Sequence, residues 1–524
     1  MDRRQFLMGA TSTIAGAALP MRSTARAASA SVLKYIPSSN LTILDPIANT
    51  HAATRLHGFM VFDMLYGLDA NFQPQPQMAK GHEVSADNLN WKITLRENQR
   101  FHDGEPVLAR DVVASIKRWG QRDAYGQLLL NATNELNAVG DDVVEFRLKT
   151  AFPLLPAALG KVGSFIPAIM PERIALTDAT QPATEIVGSG PFEFLADEFS
   201  PGAFAAYRKF ADYVPGSGEA GLSSGAKVVN FDRIEWHTIP DQSTALAAMQ
   251  TGEMDWWEAP LPDFLPLLEA SGNVTLVPSS NQVFFLRLNH LHPPFDNPQI
   301  RRLVLHSIDR TSVMQAAGGA GTWHTDVGIY TGSMATDAGI AEAFQTRTDF
   351  DAVKSELAAA GYNGEPVVMI VQGDIPMISA AAQVVRDTLT KCGFNVDYQS
   401  LESGTVSQRR TSMEPTDAGG WSGFITFADS EYFLDQATNF IVRANGKKSW
   451  FGWPDSPRIE ELNQQWFAAT DLDAQREIAR QIQLQAWQDV PYIPLGELQQ
   501  RAVASASLSG FAPGFTKFWN VRRS

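Results

Sequence analysis

The 524-residue chain contains a single cysteine, and its 42 basic residues are outnumbered by 57 acidic ones. One cysteine excludes an internal disulfide framework and any cysteine-rich zinc or iron–sulfur site. A formal net charge of −15 is opposite in sign to a surface that binds polyanions, so we expect no nucleic-acid partner. Beyond the first thirty residues, no apolar stretch is long enough to span a membrane.

Signatures of catalysis and metal binding are also scarce. The sequence has neither the G-x-x-x-x-G-K-S/T loop of a phosphate site nor the H-E-x-x-H pattern of a zinc site. The histidine pairs His51/His57 and His290/His292 lack the i,i+4 spacing of two ligands on one helix face, and no clear third carboxylate accompanies them. We therefore predict a protein that is not an enzyme and that holds no metal and no cofactor.

Residues 1–30 have the layout of a secretory signal peptide. The arginine pair at 3–4 resembles a twin-arginine signal, an apolar stretch follows at 6–19, and small residues in an A-x-A pattern end the segment. The apolar stretch is shorter than the about 20 residues of a membrane span, and no cysteine lies near the cleavage region. We expect an exported, periplasmic protein that is soluble and not lipid-anchored.

Hydrophobic periodicity predicts both strands and helices. Apolar and polar residues alternate around Trp91 and around Phe146, which predicts two strands that each have one solvent-exposed face. Asp111, between them, is expected to cap a helix. These elements make a small α+β unit over residues 71–185.

The second half of the chain favours an α/β lobe. A helix is predicted over about 377–392, and a strand follows from 394. The Gly/Ser-rich segment 215–226 is expected to be a surface loop. Trp256 and Trp257 cannot face the same core if they lie on a strand, so one of them is expected to face a cleft, solvent or a neighbouring lobe.

Several short motifs follow one another along the chain. They are N-W-K-I-T-L-R at 90–96, F-H-D-G at 101–104, A-R-D-V at 109–112, G-S-G-P-F at 188–192, G-E-M-D at 252–255, P-F-D at 294–296, I-D-R at 308–310 and V-P-Y-I-P at 490–494. In this order and spacing they resemble the ABC-importer solute-binding proteins of the peptide/nickel class, bacterial extracellular solute-binding protein family 5. The resemblance covers nearly all of the chain after the signal peptide.

This resemblance implies a two-lobed periplasmic-binding-protein (Venus-flytrap) fold of the α/β class with an extra α+β insert domain. It divides the chain into a discontinuous lobe I at 31–70, 186–278 and 495–524, an insert domain at 71–185 and a lobe II at 279–494. Two segments near 278–285 and 491–500 are expected to form the hinge. The implied function is capture of a short peptide or peptide-like ligand by hinge closure. A monomer would then deliver the ligand to ABC permease subunits in the membrane.

The resemblance also indicates where a ligand would bind. Peptide-binding members of the class carry an acidic residue shortly after a Gly-Trp pair, where it meets the terminal ammonium group of the ligand. Here the pair is Gly420-Trp421, and the corresponding position holds Phe424. This change disfavours a naked ammonium group there and favours a ligand whose apolar or aromatic part stacks on Trp421 and Phe424. Asp429 and Glu431 are the alternative acids if the loop runs differently.

Other residues are predicted to complete the cleft. Trp256 and Trp257 would form the opposing wall. Arg287 and Asn289, on a strand at the hinge, could reach a carboxylate or carbonyl group of the ligand. Ordinary strand hydrogen bonding is an equal alternative for those two. The predicted ligand-binding set thus also includes Trp256, Trp257, Arg287, Asn289, Thr50 and His51.

Three other functions remain open on the sequence alone. Aromatic residues and scattered histidines are compatible with a binder of a metal chelate, such as a nickel complex, or of another non-peptide small molecule. An exported hydrolase requires a nucleophile–base pair, which the sequence does not reveal. A sensory role, in which the closed form contacts a receptor, uses the same fold.

Overall fold

The computed structural model describes residues 31–163, 165–319, 322–469 and 471–524. The predicted signal peptide lies outside these ranges. Two large sheets form the centres of two lobes, and a four-stranded sheet forms a smaller unit beside the first lobe. The molecule is therefore a two-lobed α/β protein with an α+β insert, which agrees with the predicted fold class. The domain boundaries given above stay predictions.

Lobe I is built around a seven-stranded mixed sheet. Its middle strand runs parallel to both neighbours, and the other strand pairs are antiparallel. In spatial order the strands are Val274–Pro278, Arg501–Ser505, Trp256–Trp257, Val32–Ile36, Arg233–His237, Phe204–Lys209 and Phe192–Phe194. Distant stretches of the chain thus meet in one sheet.

Lobe II is built around a six-stranded sheet. In spatial order its strands are Trp323–His324, Ile493–Leu498, Gln282–Leu288, Gly423–Asp429, Pro366–Gln372 and Asn395–Leu401. The last two strands are parallel, and a helix at Pro376–Lys391 connects them, as parallel neighbours require. The helix predicted over 377–392 and the strand predicted from 394 are confirmed to within one residue.

The insert contains a four-stranded antiparallel sheet. In spatial order its strands are Ala79–Val84, Asn90–Leu95, Val143–Leu148 and Thr133–Val139. Two short strand pairs lie outside this sheet. They are Tyr66–Leu68 with Pro74–Pro76, and Leu508–Ser509 with Arg522–Arg523. Both predicted strands of the insert are confirmed. Asp111 is not the N-cap residue of this helix, which already begins at Ala109, but it takes part in capping from the first turn. The Asp111 carboxylate instead accepts a hydrogen bond from the backbone N–H of Leu108 at 2.9 Å.

Helices cover the faces of the three sheets. Those of lobe I are Ala52–Val61, Gln242–Thr251 and Leu265–Glu269, those of the insert are Ala109–Arg122, Ala124–Ala132, Leu155–Ala158 and Glu172–Ala175, and those of lobe II are Pro298–Ser307, Arg310–Gly318, Ile340–Ala343, Phe350–Ala359, Pro376–Lys391, Ser403–Arg409, Pro457–Ala468 and Leu472–Asp489. Within the described ranges, no helix combines the length and the apolar character needed to cross a bilayer.

Trp256 and Trp257 point to opposite faces of the lobe I sheet, and both faces are covered. The ring of Trp256 lies 5.6 Å from that of Tyr35 and 5.4 Å from that of Phe518 in the main core. Trp257 packs on the other face in a second cluster with Met249. Neither tryptophan is more than 2% exposed. The prediction that one of them faces a cleft, solvent or another lobe is therefore wrong, because this sheet is buried on both faces.

Two short segments join the lobes. The first crossing, residues 279–281, leads from a lobe I strand into a lobe II strand, and the second crossing, residues 499–500, leads back. They lie within the segments 278–285 and 491–500 that the sequence assigns to the hinge. Such short connections keep the facing edges of the two sheets close together.

The buried histidine of the first helix provides a test of the lobe I core. His57 is enclosed between helix and sheet, and its Nδ1 lies 3.0 Å from the hydroxyl of Tyr207. Burial, with a smaller contribution from His102, lowers the pKa of His57 from 6.5 to about 3. In the unfolded chain the ring takes up a proton near its ordinary pKa, so acidification from about pH 6.5 towards pH 3 favours unfolding.

We expect His57→Asn to reduce the loss of stability on acidification. Between pH 6.5 and 4 the native chain should lose up to about 1.4 kcal/mol per pH unit more than the variant, since one proton is taken up on unfolding. Urea unfolding midpoints at several pH values measure this difference. His292→Asn, at a partly exposed ring, is the control and should keep the native slope. Parallel slopes for His57→Asn and the native chain would contradict the assignment.

Candidate functional site

A buried ion pair joins the two lobes beside the crossings. Arg55, on the first helix of lobe I, pairs with Asp429 at the end of a lobe II strand. The side chain of Arg55 is 3% exposed. Its guanidinium also lies 5.1 Å from the ring centroid of Tyr432 and 5.8 Å from that of Phe515. Since the hydroxyl of Tyr432 donates to the carbonyl oxygen of Thr50 at 2.9 Å, two independent polar contacts connect the lobes here.

The surroundings of Arg55 favour its charged form. Burial alone lowers the pKa of Arg55, but Tyr432, Asp429 and Glu431 outweigh burial and raise that pKa above its ordinary value. A guanidinium that stays charged in the interior depends on an anionic partner, because a buried unpaired charge is costly. Asp429 of the opposite lobe supplies that partner.

A cavity of about 640 Å³ lies between the lobes, against both crossings. It is lined from lobe I by Ala70, Ala220, Gly221, Leu222, Pro278, Arg501, Ala512, Pro513 and Gly514, from the insert by Phe72, from lobe II by His324, Asp326, Val327, Tyr330, Thr331, Gly332, Ala335, Ser430, Glu431, Leu434 and Glu497, and along the crossings by Ser279, Ser280, Asn281, Gln499 and Gln500. A narrow crevice, lined by Arg55 and Asp429, shares Ser279, Ser280 and Gln500 with it. The ion pair and the cavity are therefore neighbours.

The charged residues of the cavity differ in how fully they are paired. Glu497 accepts a hydrogen bond from the hydroxyl of Ser430 at 2.6 Å and lies 3.2 Å from Nε2 of His324. Oε1 of Glu431 accepts a hydrogen bond from the hydroxyl of Ser280 at 2.9 Å. Oε2 of Glu431 is buried and has no hydrogen-bond partner in the described part of the chain. Burial, and then the charge of Asp429, raise the pKa of Glu431.

The predicted aromatic wall lies inside lobe II. Trp421 and Phe424 are each 1% exposed, and their ring centroids are 5.0 Å apart. Trp421 also packs 5.7 Å from Trp453, in a cluster that includes Val368. Neither ring lines the cavity, so the prediction that a ligand stacks on them does not match their position. They pack on the face of the lobe II sheet that carries Val368 and Ile370, together with Val406 of the short helix Ser403–Arg409.

Arg287 and Asn289 serve the interior of lobe II. The guanidinium of Arg287 is fully buried and donates to the backbone carbonyls of Ile441, Trp450, Phe451 and Pro491 at 2.5–3.0 Å. Burial lowers the pKa of Arg287 to about 9. The amide nitrogen of Asn289 donates to the carbonyl oxygen of Trp421 at 2.9 Å. The alternative of ordinary structural hydrogen bonding therefore fits both residues better than contact with a ligand.

Thr50, His51 and Asp429 lie where the lobes meet. Thr50 and His51 are exposed and precede the first helix of lobe I, and the backbone N–H of His51 donates to the side chain of Asn49 at 2.7 Å. Asp429 is held by Arg55, so it is not free to meet a ligand in this arrangement. A ligand-binding role for these residues stays a prediction.

Most of the residues that line the cavity were not predicted from the sequence. Arg55 is a charged residue within a helix that is otherwise largely apolar and buried, a pattern that indicates a paired buried charge. The first crossing is a run of Ser279, Ser280 and Asn281 between two apolar strands, which is the signal of a polar wall. The expectation of a surface loop at 215–226 is wrong for its centre, because Leu222 is buried and lines the cavity.

Two features bear on metal binding and on a serine nucleophile in the part of the chain that the structure describes. No group of three or more histidine, cysteine, aspartate or glutamate side chains is arranged there to hold a metal ion. Gly221 to Gly225 has the spacing G-x-S-x-G, yet the hydroxyl of Ser223 accepts a hydrogen bond from the backbone N–H of Leu68 at 2.8 Å and is fully buried. This serine is held as a structural acceptor.

A family model and several relatives match this chain. The model described as bacterial extracellular solute-binding proteins, family 5 Middle, matches residues 73–439. A protein of Sinorhizobium fredii (strain NBRC 101917 / NGR234), named as a probable peptide ABC transporter periplasmic-binding protein, is 33% identical over 520 residues, with 97% of each chain covered. A glutathione-binding protein of Escherichia coli O1:K1 / APEC is 25% identical over 507 residues, with 90% of each chain covered.

A solved structure has the same fold. The PBP AgaA from A.tumefacien R10, in complex with agropinic acid, superposes with a TM-score of 0.79 at 19% sequence identity. The superposition covers 94% of this chain and 99% of AgaA. The whole described architecture, both lobes and the insert, is therefore shared with a protein of very different sequence.

We expect Asp429→Asn to favour an open arrangement of the lobes. The substitution removes the carboxylate that pairs with the buried guanidinium of Arg55. Breaking a buried pair costs about 3–5 kcal/mol, and opening relieves this cost by letting water reach the charge. Small-angle scattering should show a larger radius of gyration than for the native protein, and the thermal midpoint should fall.

The double variant Arg55→Met/Asp429→Asn tests the pairing itself. It should recover much of the loss of Asp429→Asn, since no unpaired charge remains. Asp397→Asn, at an exposed carboxylate of lobe II, is the matched control and should change stability by no more than about 0.5 kcal/mol. Additive effects of the two substitutions would show that the pair is not coupled.

Proposed function

Because the chain belongs to family 5 of the bacterial extracellular solute-binding proteins, we propose that it captures a short peptide or peptide-like molecule between its two lobes and delivers it to the permease of an ABC importer. The relative from Sinorhizobium fredii, which matches over 97% of both chains, supports peptide as the ligand class.

The position of the cavity carries this proposal. Residues of both lobes and of both crossings line it, so a ligand inside it contacts the two lobes at once. Contacts of that kind stabilise the closed arrangement relative to the open one, and this difference in affinity drives closure. The volume of about 640 Å³ lies within the range of pockets that enclose small ligands.

In the proposed function, the other parts of the molecule serve export and docking to the importer. Residues 1–30 would direct export by a twin-arginine-like signal, and the remaining chain would work in the periplasm as a monomer without a lipid anchor. The closed lobes would present one joint surface to the membrane subunits of the importer. The ligand is released unchanged, so the protein acts as a binding protein and not as an enzyme.

Binding and closure can be measured together. We expect the purified protein to retain members of an equimolar tripeptide library at one ligand per chain in native mass spectrometry, and its radius of gyration to decrease at saturation. Glu269→Gln, on an exposed helix end of lobe I, should behave like the native chain. A radius of gyration that does not change at saturation would contradict hinge closure. Metal found in protein purified without chelators, together with no retained peptide, would favour the metal-chelate alternative.

A further inference from the structure

A phenylalanine with unusual backbone geometry lines the cavity. Phe72 lies in the turn between the short strands Tyr66–Leu68 and Pro74–Pro76, and its φ is 60°. This left-handed region suits glycine and asparagine, whereas a bulky side chain there is an outlier. An asparagine, Asn71, is the preceding residue of the same turn. The chain thus places an aromatic ring on a backbone conformation that disfavours it.

Hydrogen bonds to Asp69 hold the turn in this conformation. Its carbonyl oxygen accepts a hydrogen bond from the backbone N–H of Phe72 at 3.1 Å. Its carboxylate accepts from the backbone N–H groups of Asn71 and Gln73 at 2.8 and 3.0 Å, and from the side-chain amide of Gln75 at 2.9 Å. Strained backbone persists only where the surroundings fix it, and it clusters at sites that clamp ligands. The geometry of Phe72 therefore points to a role for its ring.

Core packing accounts for the other bulky side chains that share this geometry. Among the described residues, Trp453 and Val490 also have a positive φ, and both are at most 3% exposed. Phe165, the third, lies with its ring 5.7 Å from the guanidinium of Arg122. None of these three described residues lines the cavity. Phe72 differs from them, because it is only partly buried and does line it.

The ring of Phe72 reaches lobe II. Its Cε2 atom lies 3.9 Å from the point where a Cβ atom on Gly332 would lie. The Cδ2 atom of Leu434 would lie 2.8 Å from the same point, so the absence of a side chain on Gly332 leaves room for both neighbours. Phe72 and Leu434 thus approach one spot from opposite sides of the gap between the lobes.

Leu222 adds a third apolar side chain to the cavity. It is held beside the turn, since the backbone N–H of the next residue, Ser223, donates to the carbonyl oxygen of Leu68 at 2.9 Å. Phe72, Leu222 and Leu434 therefore form an apolar wall from three stretches that are distant in sequence. The lining along the crossings is polar and consists of Ser279, Ser280, Asn281, Gln499 and Gln500.

We propose that Phe72 is a specificity-determining residue, which makes the cavity selective for ligands that carry a large apolar side chain such as that of leucine. This inference rests on the proposed function and names a property of the ligands of the same cavity. An apolar group that packs against Phe72 and Leu434 leaves water at a gain in free energy. A polar group of the same shape would lose its hydrogen bonds to water there.

An equimolar tripeptide library on the purified native protein tests the selectivity. Leucine and asparagine side chains have nearly the same shape and differ in polarity, so a comparison of library members that differ only in this residue isolates the apolar contact. Native mass spectrometry measures the retained members. We expect leucine members to bind about 10–100-fold more tightly than asparagine members in at least one of the three positions, since burial of such a side chain has this magnitude.

Variants of Phe72 test the residue itself. Phe72→Asn removes the ring and suits the left-handed backbone, so the thermal midpoint should not fall. The preference for leucine should drop below about threefold, and binding of asparagine members should change less than about twofold. Phe72→Leu, which keeps an apolar side chain, should keep most of the preference. Leu176→Asn, at a leucine that is 72% exposed and lies outside the cavity, is the matched control and should keep all of it.

Each outcome decides the proposal. Equal retention of leucine and asparagine members by the native chain, or an unchanged preference in Phe72→Asn, overturns it and leaves the proposed function standing. A uniform loss of affinity for all members in Phe72→Asn would show a structural role only and overturns it as well. Retention of no member by the native chain overturns the proposed function and this inference together. If Phe72→Asn fails to fold, Phe72→Gly, which suits the same φ, takes its place.

Discussion

The charge of Arg55 is the constraint on which the arrangement of the lobes depends. The first helix of lobe I buries this guanidinium together with apolar neighbours, and the neutralising carboxylate of Asp429 belongs to the other lobe. The ring of Tyr432 and its hydrogen bond to Thr50 reinforce the same contact. The electrostatics of one lobe are thus completed by the other, directly beside the crossings and the cavity.

The fold could be predicted where local chemistry determines it. The helix predicted over 377–392 and the strand predicted from 394 match the helix Pro376–Lys391 and the strand Asn395–Leu401. Period-two alternation located the strands of the insert correctly. The order of short motifs indicated the two-lobed architecture through their resemblance to the family, whose model matches residues 73–439.

The site was harder to predict, because it depends on which faces of the two large sheets are covered by other elements. Trp256 and Trp257 alternate as expected for a strand, but the sequence does not reveal that both faces of their sheet carry a core. Trp421 is likewise a residue type that often forms the wall of a ligand site, but here it is packed inside lobe II. The residues that do line the cavity, such as Ser280 and Arg501, come from segments distant in sequence that meet only through the sheet register.

The brevity of the two crossings has a mechanical consequence. Connections of three and two residues allow almost no sliding of one lobe past the other, so rotation about the line through both crossings is the movement left. Points near that axis travel little, and points at the far rim travel most. A ligand group seated beside the axis meets nearly the same partners at every opening angle. The width of the cavity mouth is therefore set at the far rim, and the groups beside the crossings stay in place.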